Sequence, residues 1–144
     1  MVKSIASVPA ILALLLASLA CRSGKPEDQV RKAFEICRAA VEAGDAAAAT
    51  SSLDPAFRGP EDLDKATARL FLMGTFRQEK VGVTVVRNEV AVRGNEALQE
   101  VDLILTGRSG GLLPRDASHR SFRLRWRNSK GAWNLMELQS LDGR

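Results

Sequence analysis

Residues 83–105, "VTVVRNEVAVRGNEALQEVDLIL", restrict the fold more than any other stretch of this chain. Val81, Val83 and Val85 alternate with their neighbours, the period of a strand with one buried face. The phase then slips. Val86 is apolar, and Val90 and Val92 continue on even numbers. A one-residue slip inside a continuous strand pattern predicts a β-bulge near Val86 to Asn88. Gly94-Asn95 suits a two-residue hairpin turn. With those residues as the loop, Val90 faces Gln99 and Val92 faces Ala97. Val90, Val92, Ala97, Val101, Leu103 and Leu105 then share one side. Glu100, Asp102 and Thr106 share the other.

The rest of the chain adds helices before this hairpin and strands after it. Pro26 opens a helix, with Glu27 and Asp28 favourable in its first turn. Val30, Ala33, Phe34, Cys37, Ala40 and Val41 fall at the spacing of one helical face, and Gly44 is a stop signal. Asp45 can cap a short helix from Ala46 to Leu53. Pro55 and Gly59-Pro60 punctuate the chain. A third helix is expected from about Glu61 to Met73, burying Leu63, Ala66, Leu70 and Met73. A loop from Arg108 to His119 contains Gly110, Gly111, Leu112, Leu113 and Pro114. Two adjacent leucines there either fold back on the sheet edge or mark a contact patch. A strand from Arg120 to Asn128 follows, then a turn at Ser129-Lys130-Gly131 and a last strand from Ala132 to Gln139. The expectation is one α+β domain, residues 26–142, with N-terminal helices packed on a curved antiparallel sheet.

The N-terminus, "MVKSIASVPAILALLLASLA", has one charge, Lys3, and then an apolar run up to Ala20. This is the layout of a secretory signal peptide over residues 1–20. The uncharged stretch from Ser4 to Ala20 contains Pro9 and falls short of the ~20 residues that span a bilayer. Ala17-Ser18-Leu19-Ala20-Cys21 resembles the lipobox of bacterial lipoproteins, although Ser18 stands where that family prefers leucine. The resemblance implies lipidation at Cys21, membrane lipid as a partner through that residue, and a short tether over residues 21–25. It also implies a cell-envelope location facing the periplasm or the cell surface. Asp after the cysteine is an inner-membrane signal in some lineages. Arg22 stands there, which prefers the outer membrane. Ser18-x-Ala20 would equally serve ordinary signal peptidase, and an uncleaved anchor is the third reading. If Cys21 is acylated, Cys37 lacks a partner and belongs in the core. A Cys21–Cys37 disulfide is the rival for an oxidising compartment.

Net charge is +4 overall but uneven. Residues 22–107 carry 12 Lys and Arg against 14 Asp and Glu, a net −2, while residues 108–144 carry 8 against 3, a net +5. The excess surrounds an arginine ladder in which Arg123, Arg125 and Arg127 alternate with Phe122, Leu124 and Trp126. With those three apolar residues against the core, the arginines share the outer face. No aromatic interleaves there to stack bases, and the leader removes the chain from nucleic acid, so no nucleic-acid partner is expected. Glu100 and Asp102, outward on a neighbouring strand, can answer the arginines. Anionic headgroups beneath a short tether are a second answer. A protein partner, including a second copy of the chain through the sheet face, is a third.

The order of elements resembles the NTF2-like (SnoaL-like, cystatin-like) superfamily. The features that carry it are the helix–Gly44-Asp45–helix opening, the helix before Thr75-Phe76, the long hairpin and the closing "KGAWNL" hairpin. The resemblance implies a cone with one open mouth, the usual place for chemistry in that superfamily. Ketosteroid isomerases of this fold use a tyrosine in the oxyanion hole; this chain has no tyrosine. Dehydratase-like members use His with Asp inside the cavity, and the one histidine here, His119, falls at a loop–strand junction. No catalytic residue, cofactor or metal is therefore expected, and the expected function is that of a non-enzymatic binding or accessory module of unknown ligand. The rival is a soluble exported cone that binds or converts a small apolar ligand. The interior separates the two. Filled by Phe34, Cys37, Leu70, Trp126 and Leu135, it has no room for a ligand. An open apolar pocket with two or more ionisable groups favours the rival.

Overall fold

A computed structural model of the chain describes residues 24–107 and 118–142. The leader, Cys21, Arg22 and the Gly110–Pro114 stretch lie outside the described residues.

Helix α1 runs Pro26–Ala43 and ends with Gly44 in the left-handed conformation, φ 70°. The Gly44 amide donates to Val41 O and the Asp45 amide to Ala40 O, 3.1 and 3.0 Å, which closes the last turn. Asp45 then starts α2, Ala46–Thr50, its side chain accepting from the Ala48 amide at 3.0 Å. Two helices are thus joined by one left-handed glycine and one capping carboxylate, as the sequence predicts. Val30, Phe34 and Ala40 are the buried residues of α1, with Ala33 and Cys37 packed against the core.

The expected second helix, Ala46 to Leu53, is cut short. Leu53 begins a strand, β1, Leu53–Arg58, that lies at the edge of the sheet. It runs parallel to the last strand, with Leu53 opposite Leu135. The expectation of an all-antiparallel sheet is corrected: the sheet is mixed. Pro55 is tolerated because an edge strand needs no amide on its open side. Asp54 bends the strand by accepting from the Ala56 amide at 2.8 Å, yet Leu53 and Phe57 still reach the core.

A 3₁₀ turn, Pro60–Asp62, leads to α3, Lys65–Gln78. The helix begins later than expected because Asp64 caps it. Its carboxylate accepts from the Thr67 amide at 2.8 Å while the Thr67 hydroxyl accepts from the Asp64 amide at 2.9 Å.

Strands β2 (Gly82–Arg93), β3 (Glu96–Thr106), β4 (Ser118–Ser129) and β5 (Ala132–Ser140) complete the sheet. The spatial order is β1-β5-β4-β3-β2. The β2–β3 hairpin has the predicted register: Val90 opposite Gln99, Val92 opposite Ala97, Arg93 opposite Glu96. Gly94 takes the positive φ, 59°, that the first position of such a turn demands. The bulge is at Val86, between the pairs Val85–Leu103 and Arg87–Asp102. Lys130 and Gly131 both have positive φ and form the β4–β5 turn. The helices and the inner faces of β2 to β5 enclose one core centred on Trp126, Leu124, Val101 and Phe34. The architecture is α+β: a few helices packed on a five-stranded mixed sheet.

Candidate ligand-binding cavity

The core is not filled. A cavity of about 520 Å³ lies among the helices, β1 and the inner face of the sheet. Helix α1 contributes Phe34, Cys37, Arg38 and Val41, α2 contributes Ala49 and Thr50, and β1 contributes Leu53 and Phe57. Helix α3 contributes Ala68, Phe71 and Leu72, and Val101, Leu103, Leu124, Trp126 and Leu135 are among the sheet residues of the wall. The size falls within the ~300–1,000 Å³ of small-molecule sites. Phe71 and Glu61 line the cavity and are also exposed, so they mark its rim.

The wall is apolar, and its buried polar side-chain atoms are committed. The Thr50 hydroxyl donates to Ala46 O at 2.8 Å. Cys37 Sγ lies 2.9 Å from Ser52 Oγ, and burial pushes the thiol pKa up, against the smaller pull of that hydrogen bond. Cys37 has no disulfide partner among the described residues, which leave out Cys21, and is packed against the core rather than fully within it. Trp126 Nε1 donates to Gln99 Oε1 at 2.9 Å, and Gln99 Nε2 donates to Asn88 Oδ1 at 2.8 Å. Arg38 is held by Glu35 and Glu42 on its own helix and donates weakly to Val83 O at 3.4 Å. Among the described residues no buried side-chain nitrogen or oxygen lacks a hydrogen-bond partner.

Gln99 has no exposed surface, although its amide side chain gave no reason to expect it inside. The signal lay in the alternation: Gln99 sits between Ala97 and Val101 on the inward phase of β3. Its amide answers both the Trp126 indole and Asn88, which makes burying it affordable.

Leu70, expected inside, is 64% exposed, and Phe71 beside it 61%. Ala66 is exposed and none of the expected four residues is buried. Helix α3 instead turns Ala68 and Leu72 to the cavity. Leaving Leu70 out is part of why the interior is open. The pocket is open and its wall has three ionisable groups, Cys37, Arg38 and Glu61, so it meets the condition set above for the rival reading. The three do not form a reacting pair. Arg38 is bound by other carboxylates, Glu61 is exposed, and the Cys37 thiol faces Ser52 with its pKa raised by burial. His119 is exposed and pairs across the sheet with Ile104. No group of His, Cys, Asp and Glu suited to a metal ion occurs among the described residues.

The arginine ladder stands on the outer face. Trp126 and Leu124 are buried, and Phe122 is half-buried. Arg123 pairs with Glu100 at 2.9 Å. Arg125 reaches Glu137 at 3.5 Å and Glu96 at 4.0 Å, and Arg127 reaches Glu96 at 3.9 Å. Asp102 is not a ladder partner. It pairs with Arg87 at 2.8 Å and accepts from the Ser121 hydroxyl at 2.7 Å. These contacts, the Arg87 hydrogen bond first, hold its pKa below the usual carboxylate range. The Arg123 hydrogen bond does the same for Glu100.

No family model matches the chain, and no curated protein matches it in sequence. Solved structures do. An NTF2-like protein of unknown function from Pseudomonas putida superposes with a TM-score of 0.71 at 13% identity, covering 82% of this chain and 87% of that one. An NTF2-like protein with a cystatin-like fold from Novosphingobium aromaticivorans gives 0.67 at 13% identity, covering 100% and 94%. A protein of unknown function with a cystatin-like fold from Nostoc punctiforme gives 0.64 at 12% identity, covering 82% and 91%. At these identities the likeness is one of fold: this chain has the NTF2-like, cystatin-like fold.

Proposed function

We propose that this protein is a membrane-anchored, extracytoplasmic module that binds a small apolar molecule in its cone and performs no chemistry on it. The open cavity carries this reading. A cavity of about 520 Å³ walled almost wholly by aliphatic and aromatic side chains gains free energy when an apolar ligand enters. A polar ligand would lose its hydrogen bonds to water and find the wall's polar atoms already engaged. Catalysis needs a base beside an orienting partner, and the wall offers the ion-paired Arg38, the exposed Glu61 and the Cys37 thiol, which burial keeps protonated. Anchoring is supported by the run Ala17 to Cys21 and the short tether that follows.

Displacement of an apolar fluorescent dye, N-phenyl-1-naphthylamine, from the full chain tests the binding. Ala68 faces the cavity from α3, so Ala68→Trp fills the space. Dye binding is expected to fall with the melting temperature preserved; unchanged binding in a folded variant would refute the cavity as the site. Palmitate labelling tests the anchor. The wild type should take up label and Cys21→Ser should not; label retained by Cys21→Ser would refute lipidation there.

A further inference from the structure

We infer that the mouth of the cone opens away from the membrane that holds the chain, so that its apolar ligand arrives dissolved in water and is not drawn from the host leaflet. The inference deepens the anchored-binding reading and rests on it for the anchor. The fold has a closed end and an open end. Gly24 and Lys25 are fixed at the start of α1: Gln29 Nε2 donates to Gly24 O at 2.9 Å, and the Asp28 amide to Lys25 O at 3.0 Å. The Trp133 indole donates to Gln29 Oε1 at 3.1 Å, which sets this start beside the first residues of β5. Trp133 lies opposite Asn128, whose amide donates to Asn95 O at 2.7 Å. Both hairpin turns therefore gather at the end where the tether leaves.

The rim is at the other end. Arg38, in the cavity wall, reaches Val83 O at the start of β2, and Val83 lies opposite Leu105 near the end of β3. Strand β1 runs parallel to β5 with Arg58 opposite Glu137, so Gly59, Pro60 and Glu61 of the wall follow on at the far end of β5. Two rulers give the separation. From Pro26 to Val41, α1 is ~22 Å long at 1.5 Å per residue, and from Trp133 to Leu138, β5 covers ~17 Å. Three covalent steps join Cys21 to Gly24, a reach of ~11 Å when fully extended. That is about half of what turning the rim onto the leaflet would take. Even with α1 laid flat, the rim opens along the leaflet and not into it. A molecule that enters must first exist as a monomer in water, which selects apolar compounds of modest size over bilayer lipid.

The test uses the full lipidated chain in nanodiscs whose lipid carries a rhodamine headgroup. A fluorescent donor is placed by Ser129→Cys at the closed end or by Ser140→Cys at the open end, both exposed, on a Cys37→Ala background. Asp28→Cys and Glu61→Cys repeat the comparison should either variant fail to fold. Energy transfer to the headgroups should be strong from the closed end and weak from the open end. A flexible insert of about twenty Gly and Ser residues ahead of Gly24 should narrow the difference; a difference that survives it overturns the argument from tether length. Equal transfer from the two ends of the original chain overturns the orientation and leaves the anchor standing. No transfer from either end overturns the anchor, and the inference with it. The route is read with the wild type and N-phenyl-1-naphthylamine. Dye preloaded in the chain's own discs should fill the cavity no faster than dye preloaded in separate discs, since both must cross water. Faster filling from the chain's own discs overturns the aqueous route, and no filling from either source overturns the binding reading.

Discussion

Trp126 and Arg125 are neighbours on β4 with opposite roles. The indole is fully buried and hydrogen-bonded to Gln99, whereas Arg125 only reaches Glu137 and Glu96 at long range. Trp126→Ala should cost about 3–5 kcal/mol, as a large-to-small change in a core. Arg125→Ala should cost no more than about 1 kcal/mol, as for an exposed pair. Thermal melts of the two variants decide it; equal losses would mean that the arginine side faces the core. Asp102 gives a pH prediction. Arg87 and Ser121 depress its folded pKa, so its contribution is complete above the unfolded value of ~3.9 and is lost as pH falls through the folded one. Asp102→Asn should flatten part of the acid limb of a melting-temperature profile taken below about pH 4. Glu100, depressed by Arg123, Glu35, depressed by Arg38, and Asp64, depressed by its Thr67 hydrogen bonds, keep the remainder. The outward place of the ladder was legible because alternation is a local rule. Of its partners, Glu100 was legible for Arg123, but Asp102 was wrongly expected and Glu96 and Glu137 were not found, because the slant of a long side chain decides which carboxylate it meets.

At the level of elements, the Val86 bulge has an informative geometry. Val85 points inward opposite Leu103, and Asn88 opposite Val101, with Val86 as the extra residue. Deleting Val86 leaves Val85, Arg87 and Asn88 in plain alternation opposite Leu103, Asp102 and Val101. The deletion should therefore fold, with a melt close to wild type, but straighten β2 and weaken dye binding in the cavity. Deleting Ala91 should unfold the domain, because Val83 and Val85 would then turn outward. Circular-dichroism melts of both deletions check this. The hairpin was readable because its turn and alternation lie within one short stretch. β1 was not, because its partner Leu135 is distant in sequence and Pro55 looks like punctuation. On α3 the sequence offers two stripes, Ala66-Leu70-Met73 and Ala68-Leu72-Phe76, and spacing cannot choose between them. The structure turns Ala68 and Leu72 inward.

For the whole molecule, the fold was legible from the order of its elements, while the cavity was not. Empty volume belongs to the spacing between elements, and no residue type encodes it. The cavity has a consequence for selectivity. The buried polar side-chain atoms among the described residues all have hydrogen-bond partners. On the proposed reading the inner wall therefore selects mainly by size and shape, with Arg38 and the rim carboxylate of Glu61 at its polar margin. Along a homologous series of straight-chain alcohols, affinity should climb by up to ~0.8 kcal/mol per methylene until the space is full, then fall. Calorimetry should show a heat-capacity decrease that grows with chain length, the mark of a receptor that works as a gauge of length and not as a reader of chemistry.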